Sequence, residues 1–341
     1  MVAELSRRKL LRRTLLAGAL VAAAHQLGVL RSARRWLDRS TSLVGVVRCD
    51  SYAEPALGGA VARVLEAAGL PPVAGKRVVL KPNFVDHFEG RPVETDARLL
   101  MATVLHLRRL GAREVTVAEG AGNRNDLAPV LETSGLSASL ARERVRFVDL
   151  NYDDLDILPG ATLSEVEGES LLGRLALPRT LTRADLVISM PKLKTHHHVG
   201  VTLSLKNLFG CVPGVKYGWP KNVLHWNGID RSILEIYGTL RARVPMFALL
   251  DGIVGMEGDG PLHGTARQRG LLVAGADLAS VDAVGARSMG LAPGLVAHLG
   301  ASQLLELGRV DAGRIRIAGE LPGSSSPFAV PPKFRHLVAA G

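Results

Sequence analysis

Three consecutive histidines, His196, His197 and His198, are the densest group of chemically useful side chains in the sequence. In an extended segment His196 and His198 point to one side of the chain, so two imidazoles can share one metal ion or one substrate. The pattern predicts acid/base catalysis or metal binding by this pair; a surface turn with incidental histidines and a structural zinc site are the alternatives. A zinc ion needs a further protein ligand, and the candidates are Asp251, Glu257 and Asp259.

Lysines and an asparagine follow the ends of two predicted strands. In open α/β sheets ligands bind beyond the carboxyl ends of the strands, so these side chains are placed to hold a carboxylate or a phosphate. The alternative is that they are solvated. A nearby run, Glu119-Gly120-Ala121-Gly122, either lets an anion approach the main chain or is a plain turn. The predicted substrate-binding residues are Lys81, Asn83, Lys192 and Lys194.

A glycine-rich run from Asp251 to Pro261 contains three carboxylates. The run predicts a flexible loop that wraps a ligand, in which Asp251 and Glu257 bind a metal ion or polarise a histidine. Its acids lack the regular spacing of a calcium-binding EF-hand loop. Asp277 and Asp282 flank the start of a predicted helix, where helix capping is favoured over catalysis.

Lys206 lies in an apolar segment, between Leu205 and the pair Leu208 and Phe209. A lysine drawn into such surroundings carries a costly charge unless it meets an anion or enters a covalent link. We therefore predict Lys206 as a catalytic or cofactor-binding residue. The alternative is that its methylene stem lies along apolar surface while the ammonium reaches water.

The composition excludes several classes of protein. The chain has 341 residues, of which 47% are hydrophobic and 22% are charged, as in ordinary globular proteins. Its 2 cysteines, Cys49 and Cys211, cannot supply the four thiolates of an iron–sulfur cluster, although they could pair with each other. A divalent metal therefore needs other ligands.

The net charge of +10 is concentrated at the N-terminus. The first 40 residues contain nine basic and two acidic residues, whereas the rest of the chain contains 33 basic and 30 acidic residues. Aromatic residues make up 4% of the chain and are not interleaved with basic runs, so nucleic-acid binding is not expected.

Residues 6–24 have the pattern of a bacterial signal peptide, with an arginine pair, Arg7 and Arg8, before a short apolar run at 15–24. The pair predicts export of the folded protein by the twin-arginine machinery, and hence a periplasmic or extracytoplasmic location. Ten apolar residues are too few to span a bilayer, but an uncleaved segment extended to Leu30 would attach the protein to a membrane. A basic amphipathic helix that stays in the cytoplasm is the further alternative.

These residues must be positioned by an alternation of strands and helices that begins at Val44. Short β-branched runs alternate with longer helical patterns, which predicts an α/β fold with an open, mostly parallel sheet and crossover helices. The chain divides into a signal or anchor at 1–40, an α/β domain at 41–322 with a small insertion around 151–180, and an extended tail at 323–341. The predicted strands are Val44 to Cys49, Arg77 to Lys81, Glu114 to Glu119, Arg144 to Val148, Leu186 to Met190, Met246 to Leu250, Leu271 to Ala274 and Arg314 to Ala318. The predicted helices are Leu57 to Ala68, Asp96 to Leu110, Ser232 to Leu240, Ser280 to Met289 and Leu295 to Leu307.

Several characteristic segments follow one another along the chain: Lys81-Pro82-Asn83, the run from Leu186 through Pro191-Lys192-Leu193-Lys194-Thr195-His196 to Lys206-Asn207-Leu208-Phe209-Gly210, Asp251-Gly252-Ile253 through Gly260-Pro261 to Gly264, and Val281-Asp282-Ala283. Their order resembles the family called domain of unknown function 362. The resemblance covers roughly Val44 to Ala318. It implies an α/β fold and, in many members, a fused ferredoxin-like segment with iron–sulfur clusters; no such segment is found in this chain, and no such cluster is expected.

A local similarity to nickel-pincer lactate racemases involves His196, Gly200, Lys206 and Gly210. It implies that His196 shuttles a proton and that Lys206 anchors a cofactor inserted before export. The sequence departs from that family after the third predicted strand, where Asn123-Arg124 replaces an expected histidine.

Two functions follow as hypotheses. The first is an exported enzyme that acts on a small anionic substrate and depends on a divalent metal or a metal-containing cofactor. The second is a noncatalytic protein of the cell envelope that binds or assembles a metal or cofactor.

Overall fold

A mostly parallel β-sheet organises the structure, which is a computed structural model. The structure describes residues 41–122, 126–161, 163, 169–321, 323 and 326–339. The predicted signal or anchor at 1–40 therefore lies outside the described residues. The described residues from Ser42 onward belong to one compact unit.

Twelve strands and eleven α-helices are found in the described part of the chain. The strands are β1 (Ser42–Arg48), β2 (Arg77–Pro82), β3 (Glu114–Glu119), β4 (Arg146–Asp149), β5 (Leu155–Pro159), β6 (Arg174–Pro178), β7 (Leu186–Met190), β8 (Lys192–His196), β9 (Gly200–Thr202), β10 (Met246–Glu257), β11 (Thr265–Gly275) and β12 (Ile315–Gly319). The helices are α1 (Ala56–Ala67), α2 (Ala97–Arg109), α3 (Ala128–Thr133), α4 (Leu136–Arg142), α5 (Arg179–Thr182), α6 (Ser204–Asn207), α7 (Gly214–Tyr217), α8 (Asn222–Trp226), α9 (Ile229–Arg243), α10 (Leu278–Ser288) and α11 (Ala297–Leu304).

The main sheet confirms the predicted α/β class. Its strand order is β12-β1-β11-β10-β7-β2-β3-β4, and β8 pairs with β10 and with β9 beside this path. The run β10-β7-β2-β3-β4 is parallel throughout, whereas β11 is antiparallel to both of its neighbours. The carboxyl ends of β2, β3 and β7 therefore meet at one edge, where ligands bind in open parallel sheets.

Two hydrophobic layers cover the two faces of the sheet. Successive strand residues point to opposite faces, and in β7 Leu186 and Ile188 pack into one layer while Val187 packs into the other. Helices α1 and α2 cover the first layer, and α9 and α10 cover the second. Burial on both faces explains why such strands are rich in consecutive apolar residues.

The glycine-rich run after Leu250 is a strand, so the prediction of a flexible loop from Asp251 is wrong. β10 continues through Glu257 and forms a long antiparallel hairpin with β11. A Cβ atom on Gly255 would lie 2.7 Å from the carbonyl oxygen of Leu193 in β8. Glycine is present there because two main chains approach closely, and this requirement gives the same sequence pattern as a flexible loop.

The structure also describes the predicted insertion, the predicted tail and the two cysteines. The predicted insertion around 151–180 forms a separate two-stranded sheet of β5 and β6. The segment at 323–341, predicted as an extended tail, buries Phe328 and Leu337 in the core and contains a 3₁₀ helix at Pro332–Leu337. Cys49 and Cys211 are both buried and free, so they do not pair.

No helix in the described ranges is long and apolar enough to cross a membrane.

Asp282 performs a capping role, although not for its own helix. It is fully buried within α10, and its carboxylate accepts hydrogen bonds from the backbone N–H groups of Ser204 (2.6 Å) and Leu205 (2.9 Å) at the start of α6. Burial raises the pKa of this carboxyl to about 7. Asp277 caps α10 itself, because its side chain accepts a hydrogen bond from the N–H of Ser280.

We expect Asp282→Ala to lower the free energy of unfolding by about 2 to 4 kcal/mol, since two buried N–H groups lose their acceptor. Asp282→Asn retains one acceptor oxygen and should give a smaller loss. The control is Asp311→Ala, because this exposed side chain caps only a short 3₁₀ helix and its removal should cost at most about 1 kcal/mol. Urea unfolding measures all three; equal stability of Asp282→Ala and the wild type would contradict the capping role.

Candidate functional site

A cavity of about 220 Å³ lies at the carboxyl ends of β2 and β3, beside β8 and α6. It is the crevice that the sheet topology predicts. Its polar lining residues are Lys81, Asn83, Glu119, Lys194, His196, His197, His198, Thr202, Lys206, Asn207, Lys221 and His225.

A buried ion pair joins the ends of β2 and β3. The Lys81 Nζ donates hydrogen bonds to Glu119 Oε2 (2.9 Å), to Asn207 Oδ1 (3.0 Å) and to the Pro82 carbonyl (2.8 Å). An ammonium has three N–H donors, and all three are thus in use. Lys81, which the sequence predicts as a direct anion ligand, instead supports the wall of the cavity.

Lys192, a predicted anion-binding residue, forms a second buried ion pair, with Asp251. Its Nζ donates to Asp251 Oδ2 (2.9 Å) and to the hydroxyl of Tyr52 (2.7 Å), and that hydroxyl donates to Asp251 Oδ1 (2.6 Å). Asp251 Oδ2 also accepts a hydrogen bond from the N–H of Asp96, at the start of α2. The network connects β8, β10, α2 and the chain after β1. Lys192 and Asp251 do not line the cavity, so they are not placed to bind a ligand there.

The four predicted metal ligands are not brought together. Glu257 accepts a hydrogen bond from the N–H of Ala329 and lies 3.5 Å from an Arg267 nitrogen, away from the cavity lining. The Asp251 carboxylate already accepts hydrogen bonds from Lys192, Tyr52 and Asp96. Within the described residues, no group of three or more histidine, cysteine, aspartate and glutamate side chains is arranged to hold a metal ion.

The histidines do not alternate as an extended segment would require, because β8 ends at His196 and the chain turns. All three therefore line the cavity. The Nδ1 of His196 accepts a hydrogen bond from the N–H of His198 (3.0 Å), so the neutral ring carries its proton on Nε2. Burial, followed by the charge of Lys206, holds the pKa of His196 far below its ordinary range. His196 is therefore a neutral hydrogen-bond donor at the cavity.

Two buried lysines face neutral partners only. The Lys194 Nζ donates to the carbonyls of Val93 (2.6 Å) and Pro261 (3.4 Å), and the Lys221 Nζ donates to those of Gly120 (2.7 Å) and Phe209 (2.8 Å). Burial lowers the pKa of each ammonium to about 7. Neither forms an ion pair with any residue in the described part of the chain, although the more distant carboxylates of Glu94 and Glu119 favour the charged forms.

Lys206 is the most unusual lysine of the site. Its Nζ lies 3.9 Å from the centre of the Phe209 ring, and it has no hydrogen-bond acceptor among the residues that the structure describes. Burial, followed by the charge of Lys81, lowers the pKa of this ammonium to about 8. Lys206 is partly buried and lines the cavity, so its amine can meet a bound ligand.

Two polar atoms at the wall, an amide oxygen and a hydroxyl, lack partners among the described residues. Asn83 Oδ1 and Thr202 Oγ1 are buried and have no hydrogen-bond partner in the described ranges. Both residues line the cavity. Because buried polar atoms are nearly always hydrogen-bonded, the pair indicates that the cavity takes a polar ligand or ordered water.

Three further residues of the site are absent from the predicted set. Glu119 and Asn207 complete the Lys81 network, and Lys221 brings a further ammonium from a segment with no recognisable pattern. Lys221 has a positive φ of 67°, which is unusual for a residue with a side chain. Glu119 could have been found as the charged residue that ends a buried strand.

The sequence of this region matches a known family: residues 78–287 correspond to a domain of unknown function (DUF362). The chain belongs to this family. The predicted resemblance is thus confirmed, and the cavity is built almost entirely within the matched part of the DUF362 chain.

The DUF362 chain is similar to a thylakoid-associated protein of Synechocystis sp., with 28% identity over 277 residues that cover 77% of this chain and 79% of that protein. Among solved structures, the lactate racemase apoprotein of Thermoanaerobacterium thermosaccharolyticum has 18% identity and a TM-score of 0.42, over 72% of this chain and 57% of that one. A Thermotoga maritima protein has 14% identity and a TM-score of 0.35, over 62% and 53%. The chain thus spans little more than half the length of either solved relative. Asn123 and Arg124, where the sequence departs from the racemases, lie outside the described residues.

We expect the stability of the protein to rise between pH 7 and about 9, because the unfolded state, in which lysine has a pKa near 10.5, binds more protons than the folded one. Lys221→Met should reduce this slope by up to about 1.4 kcal/mol per pH unit. The measurement is urea unfolding across that pH range, with the exposed Lys216→Met as the control. An unchanged slope in Lys221→Met would show that Lys221 titrates normally.

Proposed function

We propose that the cavity binds a small organic anion and that the protein acts on this anion outside the cytoplasm. The observation that carries the proposal is the set of three ammonium groups, on Lys194, Lys206 and Lys221, that line one cavity without a carboxylate partner in the described residues. Positive charge held in a low-dielectric cavity attracts anions far more strongly than the same charge in water.

The sign of the site is unambiguous. Four lysines line the cavity, and the one carboxylate among the described lining residues, Glu119, is neutralised by Lys81. A bound anion would favour the charged forms of Lys194, Lys206 and Lys221, whose pKa values are lowered in its absence. The charged form of each of these lysines would therefore be stabilised by a bound anion.

The size and the lining favour a small ligand. Pockets that enclose drug-sized molecules have volumes of roughly 300 to 1,000 Å³, and this one has about 220 Å³. The unpartnered Asn83 Oδ1 favours a hydrogen-bond donor on the ligand, and the unpartnered Thr202 hydroxyl can donate to the ligand or accept from it.

A metal is not part of the proposal, because the predicted ligands Asp251 and Glu257 are engaged elsewhere. Lys206 as a cofactor anchor remains compatible with its position. A noncatalytic binding protein would use the same cavity, and it differs from an enzyme only in lacking turnover of the bound anion. The lowered pKa and the unpartnered amine of Lys206 favour the enzyme, because a binding lysine needs neither.

Lys206→Ala should weaken the binding of small anions such as lactate or phosphate about ten- to a hundredfold while the fold survives, because one charge-assisted contact is lost. Lys206→Arg should also weaken binding, since the planar guanidinium does not match a site shaped for an ammonium. Thermal shift and calorimetry at equal folded concentration measure both variants. Lys216→Ala, an exposed lysine outside the cavity, is the control; full binding by both Lys206 variants would mean that Lys206 is merely solvated.

Export rests on the N-terminal sequence alone. Replacement of Arg7 and Arg8 together by lysine should leave the protein in the cytoplasm, because the twin-arginine receptor reads that pair and the charge is unchanged. Cell fractionation measures the result, with Arg12→Lys as the matched control. Continued export of the double variant would rule out this pathway.

A further inference from the structure

The lysines around the cavity differ in what holds their amines. Lys81 has three acceptors, including a carboxylate, and Lys194 and Lys221 are each held by two carbonyls. Lys206 has none in the described part of the chain and rests on the face of Phe209. Among the described residues, its amine is therefore the one lysine amine of the cavity lining that neither a hydrogen bond nor an ion pair fixes in place.

An unfixed lysine amine in a cationic, partly desolvated cavity is suited to covalent chemistry. Removal from water and neighbouring positive charge both favour the neutral amine, whose lone pair is a nucleophile. Both conditions hold for Lys206, which loses water on burial and lies within the field of Lys81. The electrophile that a neutral lysine amine attacks reversibly is a carbonyl carbon.

We propose that Lys206 forms an imine with a small 2-oxo acid bound in the cavity. This inference rests on the proposed anion binding and adds the chemical class of the ligand to it. Lys194 and Lys221 supply the positive field that a carboxylate needs. Their amines are tied to carbonyls and do not compete as nucleophiles.

The step balances without any further reactant. The Nζ lone pair forms a bond to the carbonyl carbon, and the carbonyl oxygen takes up a proton to give a carbinolamine. This oxygen then leaves as water, so that one ammonium and one oxo group become one protonated imine and one water molecule. No electron donor or acceptor is needed.

His196 is placed to assist as a hydrogen-bond donor to the reacting oxygen. It lines the same cavity, and its Nδ1 is occupied by the N–H of His198, so its Nε2–H is available as a donor to the oxygen of the carbonyl or carbinolamine. Lys206 lines the same cavity, and its charge contributes to the lowered pKa of His196. The unpartnered Asn83 Oδ1 is a further acceptor at the wall, suited to the hydroxyl of the carbinolamine.

Borohydride trapping tests the inference on the full chain. The purified protein is incubated with pyruvate, reduced with sodium borohydride, digested and analysed by mass spectrometry. We expect one reduced adduct, confined to the peptide that contains Lys206, absent from Lys206→Arg and retained by Lys216→Arg. Acetone, a ketone without a carboxylate, should give no adduct, because it gains nothing from the positive field.

A parallel thermal-shift titration with lactate, which has the carboxylate but no carbonyl, separates this inference from the proposed function. Stabilisation by lactate without an adduct at Lys206 would overturn the imine and leave anion binding intact. If lactate gives no stabilisation and pyruvate gives no adduct at Lys206, both the anion binding and the imine are overturned. Adducts spread over exposed lysines such as Lys216 would also overturn the inference, because they would show unselective chemistry.

Discussion

The buried ion pair between Lys81 and Glu119 is the interaction on which the site depends. It joins the ends of β2 and β3, and Asn207 extends it to α6. The main chain then passes directly against the pair: a Cβ atom on Gly210 would lie 2.0 Å from Glu119 Oε1 and 2.6 Å from Lys81 Nζ. Only glycine allows this approach, which places Phe209 and its carbonyl where they meet Lys206 and Lys221. Loss of one partner would leave an uncompensated buried charge, which typically costs about 3 to 5 kcal/mol.

The lysines divide into structural and functional members according to their partners. Lys81 and Lys192 meet carboxylates, so their charges are neutralised and serve to connect strands and loops. Lys194 and Lys221 meet only carbonyls, which satisfy donors but do not cancel charge. Lys206 meets an aromatic face. The lysines of the structural network are therefore paired with carboxylates, whereas the lysines without a carboxylate partner lie at the cavity.

The elements of the fold were largely predictable, because apolar patterns are local. The helix predicted at Asp96 to Leu110 is found at Ala97–Arg109 with Asp96 as its cap, and β7 has its predicted bounds. The site was only partly predictable, because the role of each lysine depends on a partner that is far away in the sequence. Lys192 and Asp251 are 59 positions apart, and Lys221 meets a carbonyl 101 positions away. No local pattern distinguishes Lys192, which is paired, from Lys194, which is not.

The unpaired lysines also bear on whether the cavity is functional. A buried ammonium without a counter-charge destabilises the folded state, and its lowered pKa records that cost. Hydrophobic residues of similar length at Lys194 and Lys221 would avoid it, whereas a structural role would be served better by the carboxylate pairing seen at Lys81. Three such groups at one cavity are therefore explained most economically by a ligand that provides the missing negative charge. In the folded protein this ligand would relieve the electrostatic cost, so binding and stability are coupled through the same three amines.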